Sequence, residues 1–290
     1  MLGSRDSQSA ESAHFTSVDC TRFTSIEWHD EIDSTNTELL ERARRGAPEG
    51  LVLIADTQTA GRGRRGRRWT ALPGTSLMMS VLLRPPPGPL PPSRAALVTM
   101  AVALAAIDAC ERHSGVRPSL KWPNDLVIAA PGFGDRKLAG TLAESISTEG
   151  KLTALVVGMG LNTGWPAVPD ELDGIATSLN LESGAPVDRT LLARLVLEGL
   201  EQRYARLCRA DHGAGPGDDS GAASLLAEAR CCSATLGRRV RISFGQMSKG
   251  EALEGLASDL DAEGRLLVRD DVGITHTVSV GDVVHLRPAS

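Results

Sequence analysis

Aromatic side chains are scarce in this sequence. They make up 3% of its 290 residues, whereas the hydrophobic fraction is 41%. The core of the protein therefore has to be built from aliphatic side chains. A chain of this length can bury one large core and a smaller second one. A mean hydropathy of −0.09 is typical of a globular protein.

Cysteine is also limited, and its pattern excludes a disulfide framework. The five cysteines are odd in number and include no Cys-x-x-Cys pair, which indicates reduced thiols in a cytoplasmic protein. We interpret the adjacent Cys231 and Cys232 as small half-buried hydrophobes, with metal binding or oxidation as the alternative. The N-terminus has no apolar segment of the kind that signal peptides carry. The apolar run near 95–109 is too short for a membrane span and contains Asp108.

Several catalytic patterns are missing. The sequence has no Gly-x-Ser-x-Gly elbow, no histidine pair with the spacing of zinc ligands and no phosphate-loop pattern. Gly61, Gly63 and Gly66 have the spacing of the dinucleotide pattern, but a strand and not a helix is predicted after them, so they do not fit that motif. These absences argue against serine hydrolases, zinc enzymes and common nucleotide folds. The net charge of −5 argues against nucleic-acid binding by the protein as a whole.

One stretch is strongly basic. Five arginines occupy the seven positions from Arg62 to Arg68, and glycines interrupt them. Apolar strands are predicted on either side, over 51–55 and 76–83. Arginine binds carboxylates and phosphates in a bidentate manner, and glycine permits close backbone approach. We predict a loop that is mobile when empty and ordered over a bound anion. The alternatives are a solvated basic turn and a nucleic-acid patch.

The remaining patterns predict a mixture of strands and helices. Strands are predicted over 26–32, on both sides of Pro123, over 137–146 and over 152–158, with a turn at 158–162. Helices are predicted from the Thr35–Glu38 capping box, from Ser93 to about His113, from Asp188 to about Cys208 and over 222–232. Leu97, Met100, Ala101, Leu104 and Ile107 should be buried in the second helix, and Leu191, Leu192, Leu195, Leu197 and Leu200 in the third.

From residue 236 onward the pattern changes to short alternating strands with a tight turn at 261–264, which predicts a small β-barrel. We therefore predict an α+β protein with three parts: a disordered tail over 1–24, a domain with a mixed sheet over 25–232, and a barrel over 236–288. The glycine-rich stretch 213–221 is predicted to be a disordered insertion.

Polar residues collect at the predicted strand ends and turns, over 34–36, 58–67, 121–125, at Lys137 and over 158–162. This set has many cations, one firm carboxylate and no convincing nucleophile. It suits the stabilisation of anions more than covalent catalysis. Ser34 and Thr35 have two interpretations: they cap a helix, or they face a polar ligand at its N-terminus.

Several of these motifs resemble those of biotin protein ligases. The similar segments are Asp-Ser-Thr-Asn at 33–36, Gly-Arg-Gly-Arg-Arg-Gly-Arg at 61–67 with Trp69, Lys-Trp-Pro-Asn-Asp at 121–125, Lys-Leu-Ala-Gly at 137–140 and Gly-Met-Gly-Leu-Asn at 158–162. The resemblance covers about residues 26–287 and is closest to the short bacterial form without an N-terminal DNA-binding domain. It implies the class II synthetase-like fold of biotin and lipoate ligases, with an SH3-like C-terminal barrel.

The resemblance also implies a reaction. Biotin and ATP form biotinyl-5′-AMP, and a lysine of a biotin carboxyl carrier protein then takes the biotinyl group. Mg²⁺ accompanies ATP, with Asp125 as its one candidate protein contact, and neither DNA nor a membrane is an expected partner. The implied catalytic residues are Arg62, Lys121, Asp125 and Lys137. The implied biotin contacts are Ser34, Thr35, Asn36, Gln58, Arg62, Gly63, Arg64, Lys137 and Gly140. The implied nucleotide contacts are Arg64, Arg67, Trp69, Asn124 and Asn162.

Two alternatives remain open at the level of sequence. A lipoate or octanoate ligase or transferase of the same superfold would need a different acyl pocket, and the arginine-glycine loop argues against it. A nucleic-acid-binding regulator using the same loop would bind DNA or RNA with a strong salt dependence.

Overall fold

The computed structural model describes residues 21–86, 90–130, 134–209, 220–244, 252–279 and 281–286. Positions 1–20 of the predicted tail and positions 213–219 of the predicted insertion therefore lie outside the described residues.

The larger of two sheets contains the first seven described strands, six of which pair antiparallel. These strands are β1 (Ser25–Ile32), β2 (Leu51–Gln58), β3 (Ser76–Leu83), β4 (Ser119–Lys121), β5 (Asp125–Ala130), β6 (Gly134–Thr148) and β7 (Lys151–Asn162). Their order across the sheet is β1-β2-β3-β7-β6-β5-β4, and only the β1–β2 pair is parallel. The sheet is mixed, as predicted.

Helices cover the two faces of this sheet unequally. The described helices are α1 (Thr35–Arg44), α2 (Ala95–Ser114), α3 (Leu179–Ser183), α4 (Arg189–Cys208) and α5 (Ser220–Cys231). Helices α2 and α4 pack on each other and on one face, where alternate β3 residues such as Leu77 and Met79 enter the main core. Helix α1 packs on part of the other face, over Leu53 and Leu82. The rest of that second face has no helix over it among the described residues.

Helix α2 supplies much of the aliphatic core. Twelve of its residues are buried, including the five predicted ones. By length and composition, Pro92–Ser114 could cross a membrane, but 72% of its most apolar window is buried inside the protein. That degree of burial is typical of a core helix. The prediction that Ser93 caps this helix is wrong, because residues 92–94 form a 3-10 turn and α2 starts at Ala95 without a side-chain cap.

The starts of two other helices are set by side-chain caps. Asp188 caps α4 by accepting hydrogen bonds from the backbone of Thr190 and Leu191, as predicted. The capping box at Thr35 is wrong by one residue, because Ser34 is the N-cap of α1 and accepts from Thr37. Leu191 is 40% exposed and Leu195 is only half-buried, in contrast to the prediction, because these two residues lie four apart on the outer side of α4, whereas its buried residues lie on the other side.

The predicted turn at 158–162 is also wrong. Strand β7 continues to Asn162 because it is paired on both sides, with β3 and with β6. Glycine usually weakens a strand, but in a strand it also marks close approach by another group. Here Gly158 faces the side chain of Asn36 and Gly160 faces the ring of Trp69, and a Cβ at either glycine would clash with its neighbour.

The second sheet is small and antiparallel. It contains β8 (Arg239–Ser243), β9 (Ala252–Leu260), β10 (Leu266–Arg269), β11 (Thr275–Val278) and β12 (Asp282–His285), in the order β11-β10-β9-β8-β12. One hydrophobic cluster runs through both sheets, and the Trp122 indole donates a hydrogen bond to the Gly264 carbonyl, 3.0 Å away. The structure confirms the predicted α+β class with a small C-terminal β-domain.

Replacing Leu104 with alanine should lower the free energy of unfolding by about 2–5 kcal/mol, because the side chain is 2% exposed and its loss leaves a cavity. Denaturant titration followed by circular dichroism measures this change. The matched control is Leu72→Ala, since Leu72 is 59% exposed and should change stability by no more than about 0.5 kcal/mol. Equal effects at the two positions would contradict the assigned core.

Candidate active site

The uncovered part of the sheet is the floor of a cavity, and the arginine loop is its roof. Strands β3, β7 and β6 present Ser80, Gly158 and Leu142 in one row across this floor. The cavity volume is about 120 Å³, and the cavity is partly open to solvent.

Most of the predicted site residues line this one cavity. It includes Ser34, Thr35, Asn36, Gln58, Arg62, Gly63, Arg64, Arg67, Trp69, Asn124, Asp125, Lys137 and Gly140. Segments that are 100 residues apart in sequence therefore meet at one place. Neutral hydrogen-bonding groups lie at the α1 end of the cavity, and cations lie under and within the loop.

Lys121 and Asn162 do not line this cavity. Asn162 is buried, and its amide donates a 3.0 Å hydrogen bond to the Thr177 carbonyl. Lys121 lies on the edge strand β4. It is close enough to His285 to affect its pKa: burial lowers the pKa of His285, the hydrogen bond to Asp135 opposes that shift, and the Lys121 charge adds to it.

The loop itself is a small hairpin. The backbone N–H of Gly63 donates to the Arg67 carbonyl at 2.7 Å, and that of Trp69 donates to the Gly61 carbonyl at 3.0 Å. A 3-10 turn at Arg64–Gly66 closes the hairpin, and Arg65 has a φ of 58°. Side chains with a Cβ rarely adopt that conformation, so the turn is held by its surroundings.

Each of the five arginines has a partner within the protein. Arg62 pairs with Glu144 at 2.9 Å, and Arg64 donates to the Asn124 side chain at 2.9 Å. The other three bind Asp282 or a backbone carbonyl: Arg65 and Arg67 contact the carboxylate of Asp282, and Arg68 donates to Thr59 O. Burial lowers the pKa of Arg64. The predicted mobility of the empty loop stays a prediction.

Lys137 has both a charged and an aromatic neighbour. Its ammonium nitrogen lies 2.8 Å from Asp125 Oδ1 and 5.6 Å from the centre of the Trp69 ring. Gly140 lies opposite Asp125 in the β5–β6 pair. A side chain at Gly140 would come within 3.0 Å of Lys137 Nζ. These contacts hold the lysine at the cavity wall.

Trp69 lies against the floor of the cavity. A Cβ built on Gly160 would be 2.4 Å from its ring, so only glycine leaves room for the indole. Its indole nitrogen is buried and has no hydrogen-bond partner among the described residues. A buried unpaired donor is unfavourable, so this N–H is available to a ligand acceptor.

Sequence reasoning missed several contributors. Ser80 lies in the run 76–83, in which Ser76 and Ser80 are the two polar residues. A hydroxyl inside such a buried run was the signal that could have identified it. Glu144 and Asp282 carry the only carboxylates that contact the loop arginines among the described residues. Asp282 comes from the C-terminal sheet, more than 200 positions from the loop, and no local pattern indicates it.

Metal ligands are sparse in this cavity. Within the described ranges, no group of three or more histidine, cysteine, aspartate or glutamate side chains is placed to hold a metal ion. The carboxylate of Asp125 faces the cavity but is paired with Lys137.

Comparison with known proteins agrees with this geometry. The sequence matches the biotin/lipoate A/B protein ligase family over residues 28–162 and the biotin protein ligase C-terminal domain over residues 235–286. It is 40% identical over 259 residues to biotin–[acetyl-CoA-carboxylase] ligase of Mycobacterium tuberculosis, an alignment that covers 88% of this chain and 86% of that protein.

Two further matches extend the comparison. The chain is 32% identical over 249 residues to the bifunctional ligase/repressor BirA of Bacillus subtilis, covering 85% of this chain and 70% of that one. Its structure resembles that of a biotin protein ligase from Aquifex aeolicus in complex with biotin and ATP, with a TM-score of 0.72 and 25% identity over 91% of this chain and 100% of the other. These matches define the class as the biotin and lipoate protein ligases. Within that class, the chain belongs to the biotin protein ligase family.

Replacing Gly160 with alanine should displace Trp69 and open the loop. Overpacking of this kind costs about 1–3 kcal/mol, so trypsin should cleave among the loop arginines roughly tenfold faster. Mass spectrometry of the fragments gives the cleavage rate. Gly164→Ala is the matched control, because a Cβ there meets no described atom within 4 Å. Equal cleavage of both variants would show that Trp69 does not hold the loop.

Proposed function

We propose that this member of the biotin protein ligase family joins biotin to AMP and then transfers the biotinyl group to a lysine of an acceptor protein. The observation that carries the proposal is that two groups of side chains line one cavity: a neutral group, which we call the neutral end, and a cationic group, which we call the cationic end. The neutral end contains Ser34, Thr35 and Gln58, and the cationic end contains Arg62, Arg64 and Lys137. Biotin has the same division, with an uncharged ureido ring at one end and a carboxylate at the other.

The neutral end suits the ureido ring. The side-chain amide of Gln58 donates only to the sulfur of Met78, at 3.2 Å, and a thioether is a weak acceptor. That amide can therefore turn to the ureido oxygen. Ser34 and Thr35 supply hydroxyls at the start of α1, where the helix terminus favours acceptor oxygens.

The cationic end suits the first chemical step. An oxygen of the biotin carboxylate attacks the α-phosphorus of ATP, the bond to the bridging oxygen breaks, and pyrophosphate leaves. Two anions must meet, so neighbouring positive charges lower the barrier. Lys137 would contact the carboxylate and the α-phosphate, while Arg62 and Arg64 would close over them from the loop. A well-placed donor of this kind is worth about 3–4 kcal/mol in the transition state.

The second step needs less from the protein. The neutral amine of the acceptor lysine attacks the acyl carbon of biotinyl-AMP, an amide bond forms, and AMP leaves with its phosphate oxygen. Asp125 is placed beside Lys137 at the cavity wall and would orient the incoming amine. Trp69 and the loop would keep water from the mixed anhydride until the acceptor arrives.

Several finer assignments belong to the same proposal. Arg67, Trp69 and Asn124 would face the nucleotide, because all three line the cavity on the loop side. Mg²⁺ would be held mainly by the ATP phosphates, as the sparse carboxylates of the site require, with Asp125 as its protein contact. When bound, the ion would neutralise phosphate charge. Lys121 and Asn162 do not line this cavity, and their predicted roles in catalysis and in nucleotide binding stay predictions.

The acceptor and the setting are inferred from the family. The acceptor would be the biotinyl domain of a biotin-dependent carboxylase, and the reaction would take place in the cytoplasm. The catalytic part would span 25–232 and the C-terminal domain 236–288. The contact of Asp282 with Arg65 and Arg67 supports a role of the C-terminal domain in the state of the loop.

The structure gives less support to the two alternatives. A nucleic-acid-binding loop would leave its arginines unpaired, whereas here all five contact protein groups, although four of them remain exposed. A lipoate ligase would need an acyl pocket without ureido partners, whereas Thr35 and Gln58 place polar atoms at that end.

The decisive experiment is calorimetric titration with biotin, in the presence and absence of ATP and Mg²⁺, followed by mass spectrometry of the bound species. The expected result is biotin binding and a product with the mass of biotinyl-AMP. Binding of lipoate or of RNA in place of biotin would overturn the proposal.

Replacing Lys137 with alanine should reduce the rate of pyrophosphate release by about 10²–10³-fold, because one donor to the transition state is lost. A coupled pyrophosphate assay measures this rate. Lys151→Ala is the matched control, since Lys151 is exposed at the start of β7. Unchanged denaturation midpoints would show that both variants fold, and normal pyrophosphate release by Lys137→Ala would remove Lys137 from the mechanism.

A further inference from the structure

A chain of buried polar contacts starts at the neutral end of the cavity. The backbone N–H of Thr35 donates to Gln58 Oε1 at 2.8 Å, and the Thr35 hydroxyl lies 2.7 Å from Ser80 Oγ. The Ser80 hydroxyl then donates to Asn36 Oδ1 at 2.7 Å. Thr35, Asn36 and Ser80 are all at most 4% exposed. These three side chains are therefore shielded from water and held between α1 and β3.

The chain continues to the loop through a carboxylate. Asn36 Nδ2 donates to Glu144 Oε2 at 3.0 Å, and Glu144 Oε1 lies 2.9 Å from Arg62 Nη1. The Glu144 side chain is 21% exposed and that of Arg62 is 47% exposed. One oxygen of the Glu144 carboxylate is thus held by the buried Asn36 amide, and the other oxygen holds the Arg62 guanidinium of the loop above it. The other amide hydrogen of Asn36 is used by the Leu142 carbonyl, at 3.3 Å.

The sheet leaves room for this series of hydrogen bonds at one position. Gly158 lies between Ser80 and Leu142 in the row across the floor. A Cβ at Gly158 would be 2.1 Å from Asn36 Oδ1. Glycine at this strand position therefore lets Asn36 reach across from α1 to Glu144.

The contact leaves Arg62 able to bind an anion. A guanidinium has five N–H donors in a planar fork, and the described contact of the Arg62 side chain is made through Nη1. Fixing one edge of the fork sets the direction of the other donors. Orientation of this kind strongly affects catalysis, since a displacement of about 1 Å costs roughly 10²-fold.

We propose that Glu144 is a positioning residue, which fixes the Arg62 guanidinium over the cavity through the Asn36 contact. The inference rests on the proposed function, because it takes Arg62 as a ligand of the biotin carboxylate and the α-phosphate.

Glu144→Gln tests this role, because glutamine keeps the shape of the side chain and can still accept from Asn36 but loses the ion pair with Arg62. The expected result is an increase of about tenfold in the KM for biotin and in the rate at which biotinyl-AMP escapes. Glu41→Gln is the matched control, since Glu41 forms an exposed ion pair with Arg45 on α1. An unchanged KM and unchanged escape in Glu144→Gln would overturn the proposal.

A double-mutant cycle separates positioning from a structural effect. If Glu144 acts through Arg62, then Glu144→Gln should have no further effect in an Arg62→Ala background, within the roughly twofold error of such cycles. Multiplying effects would show independent action and overturn the proposal. Biotinyl-AMP formation by the unmodified protein is measured first. Its absence would refute the proposed function, whereas multiplying effects in an active enzyme would refute only the role of Glu144.

Glu144→Asp provides a second variant in case the glutamine substitution destabilises the fold. Aspartate keeps the negative charge but is one methylene shorter, so it cannot hold Arg62 in the same place. We expect biotin KM and adenylate escape close to those of Glu144→Gln. Values equal to those of the unmodified enzyme would show that charge neutralisation alone is sufficient and would overturn positioning.

Discussion

Repulsion among five arginine charges in seven consecutive positions governs the architecture of this site. A loop of this kind can lie over a cavity only when nearby groups offset its charge. Glu144 on β6 and Asp282 on β12 do so from two different sheets. The observed position of the loop therefore depends on the docking of the C-terminal sheet, to which the hydrophobic cluster shared by the two sheets contributes.

The unequal covering of the large sheet creates the space for the site. Helices α2 and α4 close one face with aliphatic side chains, whereas α1 covers only part of the other face. Over the rest of that face, Gly158 and Gly160 keep the floor low enough for Asn36 and Trp69. The cavity and the arginine loop occupy the place that a further helix would fill in a fully covered sheet.

Much of the fold could be predicted from local patterns. Strand β3 was predicted with its observed bounds, and Asp188 was identified as the cap of α4, because apolar runs and caps act over a few residues. The prediction of a turn at 158–162 is wrong because the pairing of β7 with strands on both sides outweighs the preference of glycine for turns. The Ser93 cap failed because the chain forms a 3-10 turn first.

The residues of the candidate site likewise fall into those that the sequence could identify and those that it could not. Motif residues such as Arg62 and Lys137 could be named from the sequence, because cations suit the binding of anions, and Gln58 could be named because its amide can form hydrogen bonds with a polar ligand. Glu144 and Asp282 could not, since their roles depend on strand register and on the packing of the two sheets. Asn162 is a motif residue whose side chain makes hydrogen bonds to Thr177 and Ser76, and its predicted nucleotide contact stays a prediction.

The scarcity of aromatic residues gives the loop an intrinsic optical signal. The chain has four tryptophans and one tyrosine, and the indoles of Trp28 and Trp122 donate to fixed partners away from the loop. Trp69 instead lies beside the Lys137 ammonium with its N–H unpaired among the described residues. Any ligand that engages this lysine or this N–H changes the electrostatic field and the hydration around one fluorophore. Opening and closing of the loop can thus be followed in real time by the emission of the unlabelled protein.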